Sequence, residues 1–188
     1  MIYDKDPETG QWIKKDKIAE NQESSDFNHK APINRIKWCD PEFGSVIASC
    51  SSDKSFKIWA EEPYYSEQEQ EVRYKFNYKT TNTLREAIAD IDFAPKHFQN
   101  LMVAVAVTNG TISIFEQNNL ESWRAVLSDK KISQEACKCL AWNPAFDEPA
   151  SLIVGCDGSE NNLQLLVERT GKGFENLKRV GVFPDCHQ

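Results

Sequence analysis

The chain has 188 residues, 40% hydrophobic and 27% charged, which places it with globular rather than disordered sequences. Its formal charge is −7, and Lys and Arg are scattered in pairs such as Lys14-Lys15 and Lys178-Arg179. That excludes a basic nucleic-acid face and, equally, an anionic membrane surface as partner.

Taken in chain order, Met1 to Asp4 reads as the end of a strand and holds no signal-peptide core. Gln11 to Ile18 reads as an outer strand, and Ala19 to Asn28 as a polar linker. Three segments then line up as a repeat. The first runs from Ile33 through Trp38, Pro41 and the apolar run Val46 to Cys50, to Phe56-Lys57-Ile58-Trp59. The second runs from Ile88 through Phe93, Pro95 and Met102 to Val107, to Ile112-Ser113-Ile114-Phe115. The third runs from Cys137 through Trp142, Pro144 and Leu152 to Cys156, to Leu163-Gln164-Leu165-Leu166.

Each unit opens with a strand closed by an aromatic (Trp38, Phe93, Trp142), and a nearby Pro stops it, since Pro cannot sit inside a central ladder. The apolar run that follows suits a strand covered on both faces. Hairpin turns come next at Ser52-Asp53-Lys54, Thr108-Asn109-Gly110 and Asp157-Gly158-Ser159. Outer strands are expected at Val72 to Tyr78, Ser122 to Leu127 and Leu177 to Val182, and the Glu-rich stretch Ala60 to Glu71 is expected to be a solvated loop.

A period of about 50 residues built only from short strands predicts an all-β fold of propeller blades. The expected division is a remnant and linker at 1–28, blades at 29–79, 84–128 and 136–182, and a tail at 183–188. Three blades are too few to close a ring of ~4–8. The expectation is therefore an incomplete propeller, belonging to a longer protein or completed by other chains.

The stretch from Trp38-Cys39-Asp40-Pro41 to Ser51-Ser52-Asp53 resembles the WD-repeat branch that contains Sec-thirteen and the SEH nucleoporins. Asp92-Phe93-Ala94-Pro95-Lys96-His97, Ser122-Trp123 and Cys139-Leu140-Ala141-Trp142-Asn143-Pro144 point to the SEH side. The similarity runs from about Ile33 to Trp142 and fades to strand pattern beyond Pro149. It implies an open six-bladed propeller completed by a blade from an α-solenoid partner. It also implies a place beside other subunits in the Y-shaped coat of the nuclear pore, and in a vacuolar or lysosomal complex regulating TOR signalling. The chain departs from the family in its degraded Trp-Asp dipeptides: Trp59-Ala60, Phe115-Glu116 and Leu166-Val167.

The same resemblance implies a structural hydrogen-bond tetrad of His29, Ser51, Asp53 and Trp59, with Ser49 the open alternative for the serine, and a repeat core of Trp38, Phe93, Phe115 and Trp142. Catalysis would need an exposed nucleophile and an oxyanion site, and no elbow motif is present. Cys137 and Cys139, two apart on a strand, should share one face as core filling. Neither they, Cys156 nor His187 has zinc spacing. His97 reads as a loop residue, and Gly171-Lys172-Gly173 as a loop rather than a phosphate cradle. The six cysteines read as reduced cytosolic or nuclear thiols. No enzyme, cofactor, metal or direct membrane insertion is expected. The leading function is a scaffold subunit; the alternatives are a Sec-thirteen-like vesicle-coat subunit or a peptide-binding adaptor. The loops before the first strands share no basic or aromatic theme, which favours the scaffold.

Overall fold

A computed structural model of the chain describes residues 2–16, 27–68, 70–98, 100–119, 121–158, 162–168, 173–174 and 177–183. The expected linker at 19–28 falls largely outside these, as do Gly171-Lys172, Cys186 and His187. The regular structure is β throughout, apart from short 3-10 turns such as Pro41–Phe43 and Lys96–Phe98. Asp40 caps the first turn by accepting the Glu42 N–H at 3.1 Å, and Pro41 sets its opening φ, which ends the preceding strand.

Strands β1 (Ile2–Lys5) and β2 (Trp12–Asp16) form an antiparallel ribbon. Three four-stranded antiparallel meanders follow. The first is β3 (Ile33–Trp38), β4 (Val46–Ser51), β5 (Ser55–Ser66) and β6 (Glu71–Thr83). The second is β7 (Ile88–Phe93), β8 (Met102–Val107), β9 (Thr111–Asn119) and β10 (Ser122–Lys131). The third is β11 (Cys137–Trp142), β12 (Ser151–Cys156), β13 (Leu163–Val167) and β14 (Lys178–Phe183). The first strands of successive sheets lie side by side, β3 against β7 and β7 against β11, as in a propeller. Among the described residues the sheets do not close into a ring.

Two cores lie between the four-stranded sheets, and a smaller one of Ile47, Trp59 and Phe76, with Ile2 and Phe27 packed against it, lies on the other face of the first sheet. Ala48, Cys50, Phe56 and Ile58 of the first sheet meet Ile91, Phe93, Val103 and Val105 of the second, with the rings of Phe56 and Phe115 5.0 Å apart. Ala104, Ala106, Ile112 and Ile114 on the opposite face of the second sheet meet Leu140, Trp142, Leu152 and Val154 of the third. Alternation along each strand sends neighbouring residues into different cores. This is why β4 and β8 are buried at every position and read as continuous apolar runs. In β12, Ile153 and Gly155 stay half-buried, because among the described residues no sheet lies over that face.

Two expectations need correction here. Residues 60–66 and 71 are strand, not loop. They extend β5 and β6 into a long hairpin whose register runs from Ser55↔Thr83 to Ser66↔Glu71. Tyr64, Tyr65, Val72 and Tyr74 supply the β-propensity that the glutamates obscured, and Glu62 is tied across the hairpin to Asn77 at 2.8 Å and to Lys79.

Trp38 is not a core residue. It is 56% exposed, whereas Phe93 and Trp142 are buried and Phe115 is half-buried. The reason is directional. Phe93 packs into the sheet before its own, and so does Trp142. Ahead of β3 the described residues offer no four-stranded sheet, only the two-stranded β1–β2 ribbon and the segment from Phe27, so Trp38 keeps an edge contact with Phe76 of its own sheet, at 5.7 Å.

Candidate functional site

The residues expected to act together lie where the segment before β3 meets the hairpin of β4 and β5. His29 Nδ1 is 2.9 Å from Asp53 Oδ2, and its Nε2 is 2.9 Å from Ser49 Oγ. Trp59 Nε1 donates to the same Ser49 hydroxyl at 3.0 Å. The proton inventory orients the whole chain. Indole N–H can only donate and carboxylate can only accept, so Ser49 passes its proton to Nε2 while Nδ1–H points at Asp53.

The serine is Ser49, not Ser51. Both lie on one face of β4, so alternation cannot separate them. Ser51 sits one step nearer the turn, where its hydroxyl donates to the Ala31 carbonyl and accepts the Asp53 N–H, both at 3.0 Å.

Asp53 also accepts the Lys30 N–H at 2.9 Å, and the Ser55 N–H and hydroxyl at 2.9 and 2.6 Å. Burial opposes its charge, but the bonds from Ser55, Lys30 and His29 outweigh that and hold the carboxyl well below the usual range. In the second sheet Asn109 takes the role of Asp53, accepting the Thr111 N–H and hydroxyl at 3.1 and 2.7 Å, and Phe115 stands where Trp59 does. Ser49 is buried and the His29 side chain is 3% exposed, so the group ties loop to sheet and presents no nucleophile to solvent.

A second polar group was not foreseen. Asp90, 2% exposed on β7, accepts from Arg35 Nε of β3 at 2.8 Å and from the Leu140 N–H of β11 at 3.0 Å. Two residues on, Asp92 pairs with Lys37 at 3.2 Å and accepts the Trp142 N–H at 3.1 Å. Each aspartate thus joins three consecutive sheets. The bond to Asp90 also raises the Arg35 pKa. The signal was present in the repeat itself: Arg35-Ile36-Lys37 and Asp90-Ile91-Asp92 occupy equivalent positions with opposite charge.

Cys137 and Cys139 do not share a face. The β11–β12 register skips Lys138, and this bulge buries Cys137 while exposing Cys139. His97 lies in the Lys96–Phe98 turn with its ring 5.6 Å from that of Phe146. Among the described residues no group of three or more His, Cys, Asp or Glu could hold a metal, and no helix is long and apolar enough to cross a membrane. The open face of the third sheet carries a groove of about 510 Å³ lined by Ala141, Pro144, Ile153, Leu165 and Val167.

No family model matches the chain. It is 31% identical over 160 residues to Nucleoporin SEH1-B of Xenopus laevis, covering 81% of this chain and 43% of the relative. Against human Nucleoporin SEH1 the identity is 31% over 167 residues, covering 81% of this chain and 45% of the relative. The chain is a divergent member of the SEH nucleoporin family. A shorter match, to Nucleoporin SEH1 of Danio rerio, is 31% identical over 138 residues and covers 71% of this chain. This SEH-family chain spans less than half the length of the curated relatives it matches. Its three meander sheets carry the propeller architecture of the family, and its aspartate ladder joins them.

Proposed function

We propose that this chain acts as a non-catalytic scaffold subunit of the nuclear pore complex and supports nucleocytoplasmic transport. The supporting observation is that its clustered polar groups are spent on architecture. The His29 group ties a loop to a sheet, and Asp90 and Asp92 each bridge three sheets. An enzyme would hold such groups open toward a substrate. Membership of the SEH family supports a location at the nuclear envelope and pore.

The partner classes follow the same reading. An α-solenoid nucleoporin or related coat protein supplies a blade, and other coat subunits pack around the propeller. A second residence on the vacuolar or lysosomal surface, within a TOR-regulating complex, extends the proposal by resemblance. Affinity purification of the tagged protein from its own cells, with imaging of the nuclear rim, tests it. Recovery of nucleoporins and rim staining are expected. Diffuse staining, with no nucleoporin above background, would overturn the reading.

A further inference from the structure

Cys137 and Cys156 face each other across β11 and β12 with their sulfurs 3.7 Å apart in the core between the second and third sheets. The backbone there has a specific geometry. Asp157 N–H bonds to the Ala136 carbonyl at 2.7 Å, while Cys156 N–H turns away to the Asn162 carbonyl at 2.6 Å. The two cysteines therefore form a non-hydrogen-bonded antiparallel pair, the kind whose side chains approach closest, with Cα atoms ~4.5 Å apart. That spacing lies within the ~4.4–6.8 Å that a disulfide spans.

The two sulfurs are not equivalent. Cys137 is fully buried, and Cys156 is 9% exposed at the end of β12. The bond to Cys137 and one from Ser133 lower the Cys156 thiol against the opposing effect of burial, and the same pair raises Cys137. By contrast, Cys39 and Cys50 are buried thiols pushed up to about 12 by desolvation. Reactivity follows thiolate character and access.

We propose that Cys137 and Cys156 are a reversible oxidation site, converted by hydrogen peroxide to an intrachain disulfide that locks β11 to β12. The Cys156 thiolate attacks one peroxide oxygen, the O–O bond breaks, and hydroxide leaves to become water. Cys137 sulfur then attacks the Cys156 sulfenic acid and expels a second hydroxide, its own proton completing the second water. Two thiols and one peroxide give one disulfide and two waters. The lock closes the segment holding the bulge at Lys138 and so fixes which face Cys139 presents.

The test treats the intact chain with hydrogen peroxide at neutral pH and maps the product by mass spectrometry. The expected product has lost two hydrogens, has four titratable thiols of its original six, and yields a Cys137–Cys156 cross-linked peptide. Its thermal midpoint rises and returns on reduction with dithiothreitol. The same link forms in Cys139→Ser, whose substitution lies at the surface. Oxygen adducts on Cys139 with Cys137 and Cys156 still reduced would overturn the proposal, as would cross-links only between chains. So would loss of the link in Cys139→Ser, or a midpoint that falls when the link forms.

Discussion

Asp90 holds the Arg35 guanidinium at 2.8 Å across the junction of the first two sheets, with the carboxylate buried and the arginine half-exposed. The other oxygen of Asp90 accepts the Leu140 N–H of the third sheet. One side chain therefore spans both junctions.

Asp90→Ala should cost about 3 kcal/mol, since it leaves the Leu140 amide buried without an acceptor and removes the partner of Arg35. Asp90→Asn keeps an acceptor and should cost less. Urea midpoints of the two variants check this. Equal losses would show that the charge, not the acceptor, carries the effect.

The indoles of Trp59 and Trp142 differ in a way that substitution can read. Trp59 donates to Ser49, whereas Trp142 Nε1 is buried with no partner among the described residues. Trp59→Phe should lose a hydrogen bond and leave Ser49 short of a donor, costing ~1–2 kcal/mol beyond the change in buried area. Trp142→Phe carries only the area term. Ser49→Ala should cost more in lost hydrogen bonding than Trp59→Phe, because it strands the indole N–H and His29 Nε2 together. Denaturant midpoints decide the ordering.

The pH dependence follows from Asp53. Its folded pKa lies below its unfolded value of ~3.9. Stability from Asp53 is therefore fully present above ~3.9 and is lost as pH falls from there toward the folded pKa. The stability gap between wild type and Asp53→Asn should stay constant from neutral pH down to about pH 5 and narrow below ~3.9. Chemical denaturation at a series of pH values measures it. A constant gap down to pH ~3 would count against a depressed carboxyl.

Gly110 sits in the β8–β9 turn at φ +82°, and its carbonyl accepts the Ile132 and Ser133 N–H groups. An added Cβ would run into the backbone carbonyls of Ser133 and Glu135, in the connection to the third sheet. Gly110→Ala should cost ~1–2 kcal/mol for the backbone alone and ~1–3 more for the collision. A drop in thermal midpoint well beyond that of Gly44→Ala, which has positive φ but open space around it, is the expected outcome.

The sequence carried the repeat well because alternation and burial on both faces leave a plain record in β4 and β8. It could not separate Ser49 from Ser51, since residues two apart share a face. Parity misled at Cys137 and Cys139, where one bulged residue reverses it. The glutamates of 60–71 suggested a loop, while Tyr64, Tyr65 and Tyr74 beside them were part of a cross-strand ladder. Asp90 and Asp92 lie some 50 residues from each partner, so only the alignment of one repeat against the next could pair them.

The burial of Phe93 and Trp142 by the sheets before them gives the arc a polarity. At one end Ile36 and Trp38 are exposed as knobs; at the other, Ile153 and Leu165 line a hollow. Ends so unlike cannot be satisfied by one and the same surface. A protein capping one end would need a shape opposite to that of a protein capping the other.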